Sequence, residues 1–350
     1  MRALLAATLA VCALSGAVSA RSFDATPGDP FPGAALSASA PCSDDLFCGD
    51  IPAADTTAFY ADGEWDPVSG NCGWVSTSET VAFTNSICGY INTCTLNGFP
   101  FNTNGTIPRS FAYGLSGDYW IGTWTGAPDP ESINHVSSSC QTIASFVIDD
   151  PDIATNYQIS GLALDRANNH LWAITRNNPV GTLSRFVEFN IASGTPVVIQ
   201  GPVAVPWNGG PSAVSSAGLE YNNRDCTIVA LRQDANNVGV TELTVFKDNN
   251  PAGVGAPTFI AYCNIQNAPC TGVGPGSNRP WGIALINDPG LGDYVLYNDL
   301  NVAAGTCAAQ PVGPPIDLHI VTLPPYENAC DVVAVEPSTW GKIKSDYNSR

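Results

Sequence analysis

The acid most open to chemistry is Glu220. The stretch GLALDRANNHLWAI (residues 161–174) aligns without a gap on GLEYNNRDCTIVAL (residues 218–231), and a looser copy begins with GIAL at residue 282. Where the first and last copies carry Ala163 and Ala284, the middle one carries Glu220. A charge on an otherwise apolar strand is costly unless it is paired or wet. Glu220 is therefore read either as a channel-facing acid whose pKa is tuned by burial, or as the partner of an arginine such as Arg232 or of water in a central tunnel. As a catalyst it would need a second carboxylate converging on the same sugar or lactone.

Aromatic and basic side chains supply the expected binding surface. Trp207 and Trp281 stand where loops enter strands, and Arg279 lies just before Trp281. Indole rings present apolar faces with a polar edge, so these three residues are expected to engage a carbohydrate, a small molecule or a protein. Trp120 and Trp172 fall inside apolar strands and are read as core. No cofactor is expected, with Ca²⁺ the one candidate ion. Asp149-Asp150-Pro151-Asp152 and Asp129-Pro130-Glu131 offer oxygens, but without the alternating ligands and central Gly of a calcium loop they read as solvated connections. His135, His170 and His319 are too far apart in the chain for a zinc cluster. The sequence has no GxSxG elbow, HExxH pair or phosphate loop.

The elements that must position these residues repeat. Besides the copies at 161, 218 and 282, a fourth hairpin is SFAYGLSGDYWIGTW (residues 110–124). A second hairpin follows each: SINHV and TIASFVI after Trp124, RFVEFNI and PVVI after Ile174, ELTVF and PTFIAY after Leu231, DLHIVTL and CDVVAV (residues 330–335) after Leu296. Four short antiparallel strands per repeat predict an all-β protein, a β-propeller. Strands such as Leu171–Ile174 are apolar on both sides because a blade packs against two neighbours. Blades are expected at 110–150, 159–203, 216–265 and 280–336, with 41–100 as an irregular, Cys-rich N-terminal blade or cap. Five blades are expected, and six are the alternative. Residues 21–40 read as an extended lead-in and 341–350 as a C-terminal tail.

Residues 110–336 resemble the NHL-type and gluconolactonase-like propellers, which also combine a Gly-hydrophobic-Ala strand, a D-x-x-x-N turn and a Leu-Trp/Tyr-hydrophobic strand. The resemblance implies the fold. The gluconolactonase-like enzymes hold a divalent metal in the channel through ligands that include an Asn directly before the Gly of an inner strand. The matching residues here are Ser160, Ala217 and Trp281, none of them a ligand suited to a hard cation. Glu64-Trp65-Asp66-Pro67 is similar, over two residues, to the Asp-Pro segments that open five-bladed glycoside hydrolases, and is read as a β-turn with Pro after Asp.

Residues 1–20 have the layout of an export signal: Arg2, an apolar run from Ala3 to Leu14, and Val18 and Ala20 before Arg21. No later run is long and apolar enough to span a bilayer. A formal net charge of −18 with lysines only at 247, 342 and 344 excludes a nucleic-acid role, which needs a basic surface. In an exported protein the cysteines favour disulfides. Cys42/Cys48, Cys88/Cys94 and Cys263/Cys270 are close pairs suited to stapling loops, Cys307/Cys330 could close a longer hairpin, and Cys226, inside an apolar strand, is the expected buried free thiol. The sequence thus predicts a secreted or periplasmic, monomeric, disulfide-stapled propeller acting as a ligand-binding or protein-interaction module. A carboxylate-dependent hydrolase or lyase acting on a carbohydrate or lactone is the alternative, and a structural surface protein the second alternative.

Overall fold

The computed structural model describes residues 42–52, 60–99, 106–124, 131–148, 157–177, 183–208, 215–233, 241–249, 251, 255–265, 280–288, 292–299, 316–324, 326 and 330. The chain divides into two units, Met1–Ala38 and Ser39–Arg350, and all these residues belong to the second. The export signal, the lead-in 21–40, the tail 341–350, Arg279 and the acidic stretch 149–152 lie outside them.

Among the described residues every element is a strand. Runs of Val, Ile, Thr and aromatic residues, broken by turns carrying Gly, Asn and Asp, leave no stretch with a helical apolar period. Five four-stranded antiparallel sheets result. Blade 1 is β2 (Tyr60–Asp66), β3 (Asn71–Ser76), β4 (Thr80–Asn85) and β5 (Tyr90–Thr95). Blade 2 is β6 (Ile107–Tyr113), β7 (Tyr119–Trp124), β8 (Ser132–Val136) and β9 (Thr142–Val147). Blade 3 is β10 (Tyr157–Asp165), β11 (His170–Asn177), β12 (Arg185–Asn190) and β13 (Val197–Ala204). Blade 4 is β14 (Ser215–Asn222), β15 (Thr227–Gln233), β16 (Thr241–Lys247) and β17 (Thr258–Ile265).

Blade 5 departs from the repeat. It is ordered β18 (Pro280–Asp288), β19 (Gly292–Asp299), β20 (Ile316–Thr322), β1 (Ser43–Ile51), so its outer strand comes from the other end of the chain. β1 pairs with β20 where the run 330–335 was expected; Cys330 is bonded to Cys226 of blade 4, and 331–335 lie outside the described residues. The physical reason is closure. A blade cannot bury its two apolar faces alone, and pairing β1 with β20 brings the strand that precedes blade 1 into the last blade through main-chain hydrogen bonds.

An apolar cluster fills each junction between neighbouring blades. Phe111 and Val75 meet between blades 1 and 2, Trp120 and Leu162 between 2 and 3, Trp172 and Phe246 between 3 and 4, Val229 and Ile283 between 4 and 5, and Leu296 and Trp74 between 5 and 1. Disulfides reinforce the rim. They join Cys42 to Cys263, Cys48 to Cys88, Cys94 to Cys140 and Cys226 to Cys330. The expected pairings between sequence neighbours are thereby corrected, and Cys226 is bonded rather than free. Each bond links residues from different blades, with partners 40 to 221 residues apart in the chain, so pairing follows the closed ring and not closeness in sequence. The free cysteine among the described residues is Cys72, buried on β3.

Candidate functional site

The first strand of each blade is an edge strand: one side pairs with the second strand and the other faces the axis of the ring. Inward main-chain N–H groups there have no ladder partner and must find acceptors. All five inner strands also carry a register shift at matching places, between Tyr60/Asp62, Pro108/Ser110, Ile159/Gly161, Ala217/Leu219 and Pro280/Ile283. A bulge bends its strand and re-aims its polar groups, here toward the axis.

Three carboxylates receive those groups. Asp62 accepts from Phe111 N at 3.1 Å and Leu162 N at 3.0 Å, and more loosely from Leu219 N at 3.4 Å. Two residues along β2, Glu64 accepts from Tyr113 N and from Leu164 N at 2.9 Å. Glu220, on β14, accepts from Trp65 N at 3.2 Å and Leu285 N at 3.0 Å. Seven donors from all five blades therefore converge on three side chains. The inner strands approach too closely for more. A Cβ on Gly282 would lie 2.8 Å from Asp62 Cα, and Gly218, at φ +65°, would place one 3.0 Å from the Ile283 nitrogen. These contacts explain the glycines that open the repeated hairpins.

Burial dominates the acid chemistry. Asp62 is fully buried, and desolvation holds its carboxyl well above the usual range against the N–H bonds that favour its ionised form. Burial lifts Glu64 to about 7, with the Arg166 guanidinium pulling it back. Glu220 is pushed well above the ordinary range by burial and then by the Glu64 charge, and its carboxylate in turn adds to the burial that raises the Cys72 thiol. Arg166 donates to Asp66 at 3.0 Å where β2 ends in its turn. Asp66 also accepts from Val68 N at 3.1 Å and Ser69 N at 3.0 Å, so Asp66-Pro67 does form a turn while Glu64, two residues earlier, faces the axis.

The arginine weighed as a partner for Glu220 is engaged elsewhere: Arg232 lies 3.6 Å from Glu242 and over the Trp207 ring at 5.8 Å. Trp207 is buried against Phe246 between blades 3 and 4. Trp281 is buried as well, beneath the Arg109 guanidinium at 4.2 Å, and that guanidinium also lies 5.1 Å from the Trp124 ring. Arg109 belongs to β6 and Trp281 to β18, so this stack reaches from blade 2 to blade 5.

Sequence reasoning isolated Glu220 but missed Asp62, Glu64 and Arg109. The signal for the first two was present. Asp66 pairs with Asn71 just as Asp165 pairs with His170, so Glu64 falls at the position of Ala163 and Asp62 at that of Gly161.

No family model matches the chain and no curated protein matches it, so the resemblance to NHL-type and gluconolactonase-like propellers stays at the blade motif. Among solved structures, a luciferin-regenerating enzyme is 11% identical, with a TM-score of 0.39 over 80% of this chain and 97% of that one. The WD40 repeats of RRP9 are 9% identical, with a TM-score of 0.36 over 81% and 99%. A protein of unknown function from Dyadobacter fermentans is 11% identical, with a TM-score of 0.45 over 85% of each chain. The chain's own side chains define it as a five-bladed propeller with an acid-filled axis.

Proposed function

We propose that the protein is an exported propeller that works as a ligand-binding or protein-interaction module. Its axial acids hold the ring together instead of turning over a substrate. The observation that carries this reading is the commitment of Asp62, Glu64 and Glu220 to seven main-chain N–H donors of surrounding blades. A glycosidic acid and its base or nucleophile must instead turn their oxygens toward a sugar ring, and these three side chains are at most 3% exposed. Recognition then falls to the end of the ring where β6 and β18 begin, with the Trp124–Arg109–Trp281 stack beneath it. Trp281 serves there as a support for the surface, and Arg279, two residues earlier, is the proposed contact with ligand. The four disulfides among the described residues point to an oxidising compartment, which supports export.

Gluconolactone and a panel of nitrophenyl glycosides test the enzyme alternative, which the raised carboxyls of Glu64 and Glu220 favour. The expected result is no turnover by the wild-type protein, together with retention of a carbohydrate or peptide on an array that Arg279→Ala weakens. Turnover that falls roughly 100-fold or more in Glu220→Gln, the loss typical of a missing general acid, would overturn the reading.

A further inference from the structure

A second group of buried polar side chains lies away from the axis, at the junction of blades 3 and 4. Trp172, Glu188 and Gln200 stand directly opposite one another on β11, β12 and β13, so they share one face of blade 3. Trp172 places that face against blade 4, where it joins Tyr221 and Phe246 in the junction core. All three are more than nine-tenths buried. Among the described residues, Trp172 Nε1, Glu188 Oε2 and both amide atoms of Gln200 have no hydrogen-bond partner. Buried polar atoms are rarely left unpaired, and a guest, an ordered water or ion, is one of the established explanations for those that are.

The surroundings say what that guest is. His170 Nδ1 lies 2.7 Å from the other Glu188 oxygen. From blade 4, the Tyr221 hydroxyl donates to Asp248 Oδ2 at 2.9 Å, and Asp248 is itself buried. At the end of β10, Asp165 is occupied by its own turn, accepting from Ala167 N at 3.0 Å and from the Asn168 amide group at 2.8 Å. An anion would meet Asp165, Glu188 and Asp248. A metal ion could not use the indole N–H or the Gln200 NH₂, and the described residues bring together no trio of His, Cys, Asp and Glu fit to hold one. An apolar guest would leave every one of these atoms unpaired. Only a small neutral molecule that both donates and accepts matches the row.

We propose that Trp172, Glu188 and Gln200 form a built internal site that holds ordered water, beside a single exchangeable proton shared by His170 and Glu188. Buried waters make several hydrogen bonds to such otherwise unsatisfied groups and persist as part of the fold. The groups facing Glu188 are His170 from β11, Tyr221 from β14, Asp165 at the end of β10 and Asp248 after β16; β13 contributes the uncharged Gln200. Burial lifts Glu188 to about 8, with Asp248 and Asp165 adding to it, and burial lowers His170, so the pair carries one proton through the neutral range.

The indole nitrogen of Trp172 reports on the site. In the nitrogen-15-labelled full protein, the expected result is magnetisation transfer from long-lived water to the Trp172 indole proton, lost in Gln200→Leu with the other indoles unchanged. The same resonance shifts with a midpoint close to pH 8, and Glu188→Gln flattens that titration. Absence of water transfer to Trp172 in the wild-type protein overturns the proposal. So does a stoichiometric metal in protein purified without chelator that disappears in Glu188→Gln. Should Gln200→Leu fail to fold, the wild-type transfer and the Glu188→Gln titration decide the matter.

Discussion

The axis and the junction of blades 3 and 4 both bury acids, and they do so in opposite ways. At the axis, each carboxylate is surrounded by N–H groups of inner edge strands, and its oxygens are consumed in holding other blades. At the junction, β11 and β12 pair in an unbroken ladder through Glu188, and β13 meets it at Gln200 between two register shifts, so the side chain looks sideways, to His170 and to a guest. An unpaired main chain makes an acid structural, whereas a paired main chain leaves an acid free for other work. Burial alone does not distinguish the two, because it raises the carboxyl in both places.

The largest expected effect is at the axis. Asp62→Ala leaves the inward N–H groups of Phe111, Leu162 and Leu219 without their acceptor. At about 1–3 kcal/mol for each orphaned group, a loss of about 3–9 kcal/mol is expected in denaturant titrations. A change below about 1 kcal/mol would remove the distinction drawn between the two regions.

Acidity separates them next. Burial raises these carboxyls in the folded protein, so the folded chain keeps protons that the unfolded chain releases. The stability they contribute is complete below the ordinary carboxylate range, about pH 4, and is lost as pH rises through the folded values, about 7 for Glu64 and about 8 for Glu188. Unfolding free energies measured from pH 5 to pH 9 should therefore fall, by about 3 kcal/mol for Glu64 alone. Glu64→Gln should flatten the middle of that profile and Glu188→Gln its upper part. A stability that rises over the same range would contradict both assignments.

Smaller effects sharpen the contrast. Arg166→Ala removes the cation that lowers Glu64 and pairs with Asp66. It should move the Glu64 midpoint above 7 in a carbon-13 carboxyl titration and cost about 1 kcal/mol. Smallest of all is Glu188→Gln at pH 6, where the glutamate is already protonated and an amide replaces it with similar shape. Less than about 1 kcal/mol is expected, read by thermal unfolding at that pH.

The propeller was legible because its hairpins recur: turn residues such as Asp165 and Asn222 set a local register that survives in the linear sequence. What was not legible depended on distance. Nothing near Ser43–Ile51 says that it pairs with Ile316–Thr322, and nothing near Cys42 points to Cys263. Glu220 stood out through contrast with two alanines, whereas Asp62 and Glu64 were hidden because their hairpin opens Ala-Asp-Gly-Glu-Trp-Asp instead of Gly-Leu-Ala-Leu-Asp. Glu188 lay within Phe-Val-Glu-Phe, where only its cross-strand neighbours reveal that it faces a sealed junction. Trp281 is the second residue of β18 and Trp207 follows the end of β13, and both rings turn inward against other blades or a guanidinium.

The outer strand of blade 5 also has a mechanical meaning. A pull on the chain ahead of Ser43 arrives first at Cys42, which is bonded to blade 4, and then at Cys48, which is bonded to blade 1. Force applied at that end is shared covalently by the two blades flanking the seam before it can peel β1 from β20. The latch of the ring is therefore anchored covalently to both neighbouring blades for as long as those two bonds stay oxidised, and reduction leaves the same strand held by its ladder with β20.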